Sequence, residues 1–214
     1  MALSKVDFNN INVTPAASKA LKWNSSANGF ETGDLVGSMV LLSTITSSNS
    51  ATTSFTSSLD STYSSYLFVY INFQPVSGSN DKRFTLQAST NGGSSYGVTA
   101  TTTAFRATHD EDDGSAALGY TASHDIAQST DFFQISDILA DDGDCNISGH
   151  LQLFNPASTT FVKHFIGRFQ GSNDAECISG FGAGYFNTTS AINAIQFKLD
   201  SGNHNGTIKM YGIL

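Results

Sequence analysis

Residues Ser65–Phe73 read SYLFVYINF, and this stretch decides the fold class. Tyr66, Phe68 and Tyr70 fall on one side of an extended chain, and aliphatic side chains fall on the other side. An uninterrupted run of β-branched and aromatic residues of this length is typical of a strand that is covered on both faces. We therefore expect a central strand of a β-sheet here.

Further strand signals lie on both sides of this run. Turn residues such as those of Thr90–Ser94 separate them at the spacing of a β-sandwich. Residues 100–146 are less regular, and Asp131–Leu139 fits either a short strand or a helical turn. The other predicted strands are Ser38–Ile45, Arg83–Ser89, Gly149–Asn155, Phe161–Phe169, Ala191–Leu199 and Thr207–Leu214.

About eight strands without a long helical period predict an all-β protein. Eight antiparallel strands in two sheets describe a jelly roll, so we expect a jelly-roll-like antiparallel β-sandwich over residues 37–214. A Greek-key sandwich with another strand order would give the same sequence pattern. Asn203–Gly206 carries asparagine and glycine, which reach positive φ readily, and is predicted to be a hairpin turn between the last two strands.

Residues 1–36 have a different pattern. Their large apolar side chains are isolated among polar residues and glycines, so neither a period of 2 nor one of 3.6 persists. Such a segment cannot bury these side chains in a core of its own, so it either packs on the following domain or docks on a partner. We favour an extended N-terminal arm that docks or drives oligomerisation. The predicted docking residues are Phe8, Ile11, Val13, Leu21, Trp23 and Phe30.

The charge balance limits the partners that the chain can have. It contains 18 Asp and Glu against 10 Lys and Arg, which gives a formal net charge of -8. An acidic chain repels phosphate backbones, so nucleic acid is not an expected partner. No apolar run approaches the about 18 residues of a membrane-spanning helix, so membrane insertion is not expected. Met1–Asp7 lacks the basic and then apolar pattern of a secretory signal.

The two cysteines, Cys145 and Cys177, are too few for a disulfide framework. We expect two partly buried free thiols, which synthesis in the cytosol would favour. A single bridge between them is also compatible with the sequence.

No motif in the sequence predicts catalysis. No Gly-x-Ser-x-Gly elbow precedes a helix, and the five histidines lack metal-binding spacing. Ser201–His204 spells the letters after which a hydrolase family is named, but in that family they come from four separate sequence blocks. We interpret the segment as turn residues. We predict no catalytic residue, no cofactor and no enzymatic activity.

Two further segments resemble ligand sites only superficially. Gly180–Gly184 lacks the third glycine of a dinucleotide loop, and a glycine-rich strand that a neighbour approaches closely is the better interpretation. Asp110–Asp113 and Asp141–Asp144 offer the oxygen ligands that calcium prefers. Neither matches the helix–loop–helix calcium motif, because the terminal glutamate is missing, so we predict solvated acidic loops and no metal site.

Tyrosines leave one alternative function open. Tyr96, Tyr120 and Tyr185, if exposed, would suit stacking on a sugar ring. A carbohydrate-binding module or host-receptor-binding lectin-like module is therefore the alternative to a purely structural role.

Four segments resemble proteins of one group. Met1–Asn10 resembles the opening of fibre and appendage proteins of tailed bacteriophages, especially marine ones. Lys22–Glu31 resembles the short units of trimeric phage fibre shafts, in which an aromatic residue, polar residues, glycine and a large apolar residue follow one another. Leu86–Tyr96 is similar to a hairpin of phage β-sandwich domains, and Ser201–Ile213 is similar to the closing hairpin of those domains.

This resemblance implies a bacteriophage virion structural protein: a tail fibre, a head fibre or a capsid decoration protein. It implies an N-terminal segment that attaches to the virion and a jelly roll that is displayed outward, in a homotrimer. The expected partners are copies of the chain itself, other virion proteins of the capsid or tail, and, as a further candidate, a host surface glycan. The expected location is the virion, after assembly in the cytoplasm of the host bacterium.

Overall fold

The computed structural model describes residues 19–33, 38–76, 82–139 and 143–214. The chain divides into two compact units, Met1–Ser38 and Met39–Leu214. Within the described residues, the regular elements are fourteen β-strands and no helix. The all-β prediction is therefore confirmed.

In the first unit, β1 (Ala20–Trp23) and β2 (Phe30–Gly33) form an antiparallel hairpin. The backbone N–H of Asn24 donates to the carbonyl of Gly29 at 2.9 Å and closes the connecting loop. Ala27 has a φ of 54° in that loop, the left-handed conformation that tight turns require. The described part of the predicted arm is thus a hairpin, which its irregular apolar spacing did not predict.

The second unit contains two antiparallel sheets. The strands of the large sheet are β3 (Met39–Ser50), β5 (Ser65–Pro75), β7 (Ala100–Asp110), β8 (Ala116–Tyr120), β10 (Ile147–Phe154), β11 (Lys163–Asn173), β12 (Glu176–Phe186) and β14 (His204–Ile213). The strands of the small sheet are β4 (Thr53–Phe55), β6 (Lys82–Ser89), β9 (Phe133–Leu139) and β13 (Ala194–Leu199). The spatial orders are β3-β14-β5-β10-β11-β12-β7-β8 and β4-β13-β6-β9.

Eight of these strands have the connectivity of a jelly roll. When the two inserted pairs β7–β8 and β11–β12 are left out, the remaining strands, numbered along the chain, take the orders 1-8-3-6 and 2-7-4-5. This is the double Greek-key arrangement of a jelly roll. The inserted pairs extend the large sheet from four strands to eight. The predicted jelly-roll-like sandwich is confirmed, and the other strand order that the sequence left open is excluded.

Aromatic side chains join the two sheets through one core. Phe68 of β5 lies 5.4 Å from the ring centroids of both Phe55 in β4 and Phe197 in β13. Phe165 of β11 lies 5.4 Å from Phe133 of β9. Burying one such ring is worth about 2–3 kcal/mol. These contacts therefore favour the inward orientation of Phe68 on β5 and of Phe165 on β11.

β12 is the glycine-rich strand that the sequence predicts. A Cβ atom on Gly180 would lie 1.9 Å from the ring of Phe169, and one on Gly182 would lie 2.9 Å from the ring of Phe133. The missing side chains let these rings lie directly against the backbone of β12. The strand interpretation of this segment is confirmed, and a phosphate-binding loop is excluded.

β5 is central in the large sheet, but only one of its faces is covered. Tyr66, Phe68 and Tyr70 are buried, whereas the alternate side chains are half-buried or, as in Ile71, exposed. The prediction of a strand covered on both faces is therefore wrong for the single chain. The second apolar face of β5 belongs to the outer surface of the large sheet.

Asn203–Gly206 is not a hairpin turn. β13 and β14 lie in different sheets, and His204 is the first residue of β14, paired with Ser50 of β3. The prediction was wrong because jelly-roll connections cross between the layers. The hairpin expected at Leu86–Tyr96 is wrong for the same reason, since β6 pairs with β13 and β9 and not with the strand that follows it.

Residues 100–146 are more regular than the sequence predicts. β7 and β8 form an antiparallel pair there, and β9 shows that Asp131–Leu139 is mainly a strand. β7 reads ATTTAFRATHD, in which threonine takes the positions where large apolar residues would reveal a strand.

Candidate functional site

The large sheet has one face against the core and one face that points away from it, which we name the outward face. Because its strands are in register, outward side chains form rows across the sheet. One row, named the aromatic row, contains neighbouring residues of five adjacent strands. These are Tyr120 of β8, Phe105 of β7, Phe181 of β12, Arg168 of β11 and His150 of β10.

The rings of the aromatic row stand upright on the sheet. The centroids of Phe105 and Phe181 are 4.8 Å apart with an angle of 11° between the ring planes, and the guanidinium carbon of Arg168 lies 4.8 Å from the centre of Phe181. Both distances match the spacing of adjacent strands, about 4.8 Å. The groups are therefore stacked along the sheet, and Phe181 is covered on both ring faces.

This stacking decides what the row can bind. An upright Phe181 turns its edge to solvent, and the edge of an aromatic ring is the positive part of its quadrupole. The neighbouring guanidinium of Arg168 is a cation. The row therefore attracts anionic groups, and Phe181 offers no free ring face for stacking on a sugar.

An open groove of about 430 Å³ follows the aromatic row. Its walls are apolar at Phe105 and Ile166, which are 46% and 48% exposed. Arg168 and His150 supply the polar groups. The groove thus combines exposed apolar area with cationic and imidazole side chains.

Exposed apolar side chains continue beyond the groove on the outward face. They come from both edges of the large sheet as well as from its centre. Those with large exposed fractions are Met39, Leu41, Ile71, Phe105, Leu118, Tyr120 and Ile166. Exposed apolar side chains gathered on one face of a sheet indicate a contact surface.

The centre of the outward face carries two cations, Arg168 and Lys209, although the protein as a whole is acidic. Its outward strand positions carry Arg168, Lys209 and the imidazoles of His109, His150 and His164. Among the described outward positions of these eight strands there is no aspartate or glutamate. Two carboxylates reach this face from the loops beside it, since Asp113 lies 3.1 Å from Nε2 of His109 and Asp125 accepts the hydroxyl of Tyr120.

Half of the predicted docking residues can be located. Phe8, Ile11 and Val13 lie outside the described residues. Leu21, Trp23 and Phe30 lie in the β1–β2 hairpin, and all three are exposed. Trp23 and Phe30 stack with their ring centroids 4.4 Å apart, and Lys22 pairs with Glu31 at 3.3 Å beside them. Their role in docking stays a prediction.

The Ser201–His204 segment does not supply an exposed site. His204 is buried, its Nε2 lies 2.8 Å from Oγ1 of Thr53, and that oxygen lies 2.6 Å from Oγ of Ser47. Nδ1 of His204 has no hydrogen-bond partner, so no carboxylate orients the ring as a hydrolytic triad requires. Burial lowers the pKa of His204 to about 4. The turn interpretation of His204 is wrong, because the side chain is part of the interior.

Asp110–Asp113 lies at the turn between β7 and β8. The backbone N–H of Gly114 donates to Asp112 at 2.8 Å, and Nε2 of His109 lies 3.1 Å from Asp113. Within the described residues no three potential metal ligands come together. Asp141 and Asp142 lie outside those residues. The solvated character of both acidic loops stays a prediction.

Both cysteines are free thiols. Cys145 is buried, its Sγ accepts the backbone N–H of Asp174 at 3.2 Å, and burial raises the pKa of its thiol. Cys177 is exposed on β12. The expectation of free thiols agrees with this arrangement, although the two differ in exposure.

A polar pocket of about 290 Å³ lies where the segments after β6 and β12 meet. Tyr96 is half-buried beside it, and its hydroxyl has no hydrogen-bond partner. The hydroxyl of Tyr120, by contrast, donates to the carboxylate of Asp125. Tyr120 and Tyr185 both lie on the outward face, whereas Tyr96 lies beside the polar pocket, so the three tyrosines do not form one binding surface.

Sequence reasoning missed the central residues of the aromatic row, Phe105, Phe181 and Arg168. They come from three different strands, and only the pairing of β7, β12 and β11 brings them together. One signal was available: Phe105 and Phe181 each occupy a strand position next to small or polar residues, where an outward side chain is normally polar.

No protein-family model matches the chain, and no curated protein matches it. Among solved structures, the chain is similar to a structure titled "Crystal structure of infectious bursal disease virus VP2 subviral particle", with 10% identity and a TM-score of 0.15. The match covers 92% of this chain and 46% of that one, so the chain spans about half the length of the protein it matches. Among the described residues, no helix has the length and apolar character to cross a membrane.

Proposed function

We propose that this chain is a bacteriophage virion structural protein, a tail fibre, head fibre or capsid decoration, that acts by assembly and surface display. The observation that carries the contact role is the outward face, on which apolar side chains and cations are exposed together. The phage assignment is supported by the four sequence segments that resemble phage fibre and β-sandwich proteins.

The sequence of β5 supports a covered outward face. Its pattern is that of a strand buried on both sides, yet Ile71 is exposed and Leu67 and Val69 are only half-buried. A partner on the outward face would bury these side chains, each with a gain of about 1.5–3 kcal/mol before the costs of association. Residues of this kind are expected in a protein that works by contact with other subunits.

A non-enzymatic role fits the buried polar groups. The hydroxyl–imidazole contact between Thr53 and His204 is sealed in the interior. Lys163 is also buried, and its ammonium donates to the carbonyl of Thr188 at 3.0 Å. Burial lowers the pKa of Lys163. Both arrangements are internal to the sandwich and lie away from the groove of the aromatic row.

We assign the docking role to the N-terminal arm. Trp23 is 61% exposed and forms an aromatic pair with Phe30 on the hairpin. Large rings that are stacked but uncovered are typical anchors of protein interfaces. The capsid or tail of the virion is the proposed partner, and the proposed assembly is a homotrimer.

Deletion of residues 1–30 tests this proposal. We expect the truncated chain to remain a folded, soluble trimer and to be lost from particles, measured by mass spectrometry of purified virions. The control is full-length Lys82→Glu, which changes a charge on the small sheet and should still be incorporated. Normal incorporation of the truncated chain would contradict the role of the arm. Absence of the full-length chain from particles would contradict the virion assignment itself.

A carbohydrate-binding or host-receptor-binding role is the second candidate, and the polar pocket beside Tyr96 favours it. Ser95, Thr99 and Asn187 line this pocket, and their polar side chains suit hydrogen bonds to sugar hydroxyls. A glycan array with and without calcium tests this role, with Thr99→Val as the variant and Thr44→Val, at an exposed position of β3, as the matched control. Binding that Thr99→Val abolishes and Thr44→Val retains would support it. Absence of glycan binding by the unaltered chain would exclude it.

A further inference from the structure

One end of the large sheet is strongly acidic. The turn between β7 and β8 lies beside the turn between β11 and β12, because the backbone N–H of Glu111 donates to the carbonyl of Ala175 at 2.8 Å. We name this region the acidic end. Its carboxylates are Asp110, Glu111, Asp112, Asp113, Asp174 and Glu176. The side chain of Asp113 is 91% exposed and its partner His109 is 56% exposed.

The central part of the outward face carries the opposite charge. Arg168 and the edge of Phe181 form an electropositive strip, and Lys209 lies on the same face. Unlike charges on two surfaces attract and select the orientation in which the surfaces meet. The acidic end of one copy and the outward face of another are therefore complementary.

Charge also determines the symmetry of the contact. Two outward faces stacked about a two-fold axis through Arg168 would bring the two guanidinium groups together, and like charges in contact are costly. A contact between two different surfaces of the same chain avoids this. Such a heterologous contact leads to a closed ring when its rotation closes, as in a trimer.

The area of the outward face approaches that of a standard interface. Eight strands about 4.8 Å apart, over about five residues of about 3.3 Å each, span roughly 650 Å². A stable protein interface needs about 800 Å² from each partner. The central part of the outward face therefore supplies most of one side of a standard interface.

Resting on the proposed function, we infer that the outward face binds the acidic end of a second copy of this chain, with Arg168 as its central contact. The occupant is thereby a neighbouring subunit and not a nucleic acid or a sugar. Arg168 and Phe181 recognise its carboxylates, and Phe105 and Ile166 supply the apolar area around them.

Charge exchange in the full-length chain tests the inference by sedimentation equilibrium. Arg168→Glu should raise the dissociation constant of self-association by about tenfold or more, and the double variant Glu111→Arg/Asp112→Arg should do the same. The triple variant that combines both changes should recover most of the lost affinity. Raising the salt from ~0.05 M to ~0.5 M should weaken association of the unaltered chain. Lys82→Glu is the matched control and should associate normally, and circular dichroism should show that every variant is folded.

Three results would overturn the inference. The first is a chain that stays monomeric at every concentration. The second is association that Arg168→Glu leaves unchanged. The third is association that Arg168→Glu weakens but the acidic-end variant does not, since the face would then bind another surface. A chain that stays monomeric and binds a sulfated polysaccharide through Arg168 would count as the first result, because the cations would then recognise a different ligand. The first result would also contradict the proposed homotrimer, but all three would leave the virion assignment intact, because particle incorporation is measured separately.

Discussion

His204 and His124 are imidazoles that the sandwich buries. Burial lowers the pKa of both to about 4 from the ordinary 6.5, and the charges of Arg106 and Arg83 act in the same direction on His124. Because the folded-state pKa is the lower one, protons bind preferentially to the unfolded chain. The stability that depends on keeping these two imidazoles neutral is therefore complete above pH 6.5. It is lost as the pH falls through about 4.

We expect the free energy of unfolding, measured in urea, to fall between these two pH values. One pKa unit corresponds to about 1.4 kcal/mol, so each buried imidazole contributes up to about 3 kcal/mol to this loss. His204→Gln should be less stable than the unaltered chain at neutral pH and should depend less steeply on pH. His164→Gln, at an exposed position of β11, is the control and should keep the original slope. An unchanged slope in His204→Gln would show that this residue does not cause the acid sensitivity.

Gly180 is the position on β12 where an added side chain has least room. A Cβ atom there would lie 1.9 Å from the buried ring of Phe169, whereas a Cβ atom on Gly119 of β8 would meet nothing within 4 Å. We expect Gly180→Ala to lower the free energy of unfolding by about 1–3 kcal/mol, the usual cost of overpacking. Gly119→Ala should change it by less than about 0.5 kcal/mol. Urea denaturation measures both, and equal midpoints would contradict the close contact with Phe169.

At the scale of the element, β8 is the open edge of the inserted strands. Asp110 N–H donates to Ser115, and Thr121 N–H donates to Ala104. Hydrogen-bonded and non-hydrogen-bonded residue pairs alternate along antiparallel strands. The amides of Ala117 and Gly119 therefore also bond to β7, and the amides of Leu118 and Tyr120 point away from β7, past the edge of the sheet. NMR hydrogen exchange should therefore be slow for the amides of Ala117 and Gly119 and fast for those of Leu118 and Tyr120. Slow exchange at Leu118 would mean that another chain covers this edge.

Strand positions were predictable where side-chain pattern decides them. β5 was found almost to its ends because Tyr66, Phe68 and Tyr70 alternate with aliphatic residues, and β12 was recognised as a strand by its glycines. β7 was missed because threonine gives no apolar period. Pairing was less predictable: the last two strands are consecutive in sequence yet belong to different sheets.

The candidate site could not be read from the sequence for a related reason. Phe105, Phe181 and Arg168 become neighbours only through the order β11-β12-β7. In this order the two inserted pairs, β7–β8 and β11–β12, lie side by side although they are far apart in sequence. The predicted arm residues Leu21, Trp23 and Phe30 were recognisable because each is a large apolar side chain in polar surroundings. Sequence alone could thus identify isolated exposed anchors, but not a surface assembled from several strands.

At the scale of the whole molecule, the core belongs to one unit. Every described residue of the apolar core, and each partly buried side chain packed on it, lies between Leu42 and Met210, within the unit Met39–Leu214. The described apolar core is therefore formed within the second unit. Such a core is expected if the N-terminal segment serves contact with a partner and not the stability of its own chain.

Residues 39–214 expressed alone should consequently fold with the stability of the full chain. We expect thermal midpoints in calorimetry to agree within about 3 °C, a shift that corresponds to roughly 1 kcal/mol in a domain of this size. The matched control removes residues 204–214 at the other terminus, which deletes β14 from between β3 and β5. That variant should not fold, because β14 contributes the buried Ile208 and Met210 and pairs with two strands. A large loss of stability in residues 39–214 would instead mean that the N-terminal segment completes the sandwich, and docking on a partner would no longer explain its apolar side chains.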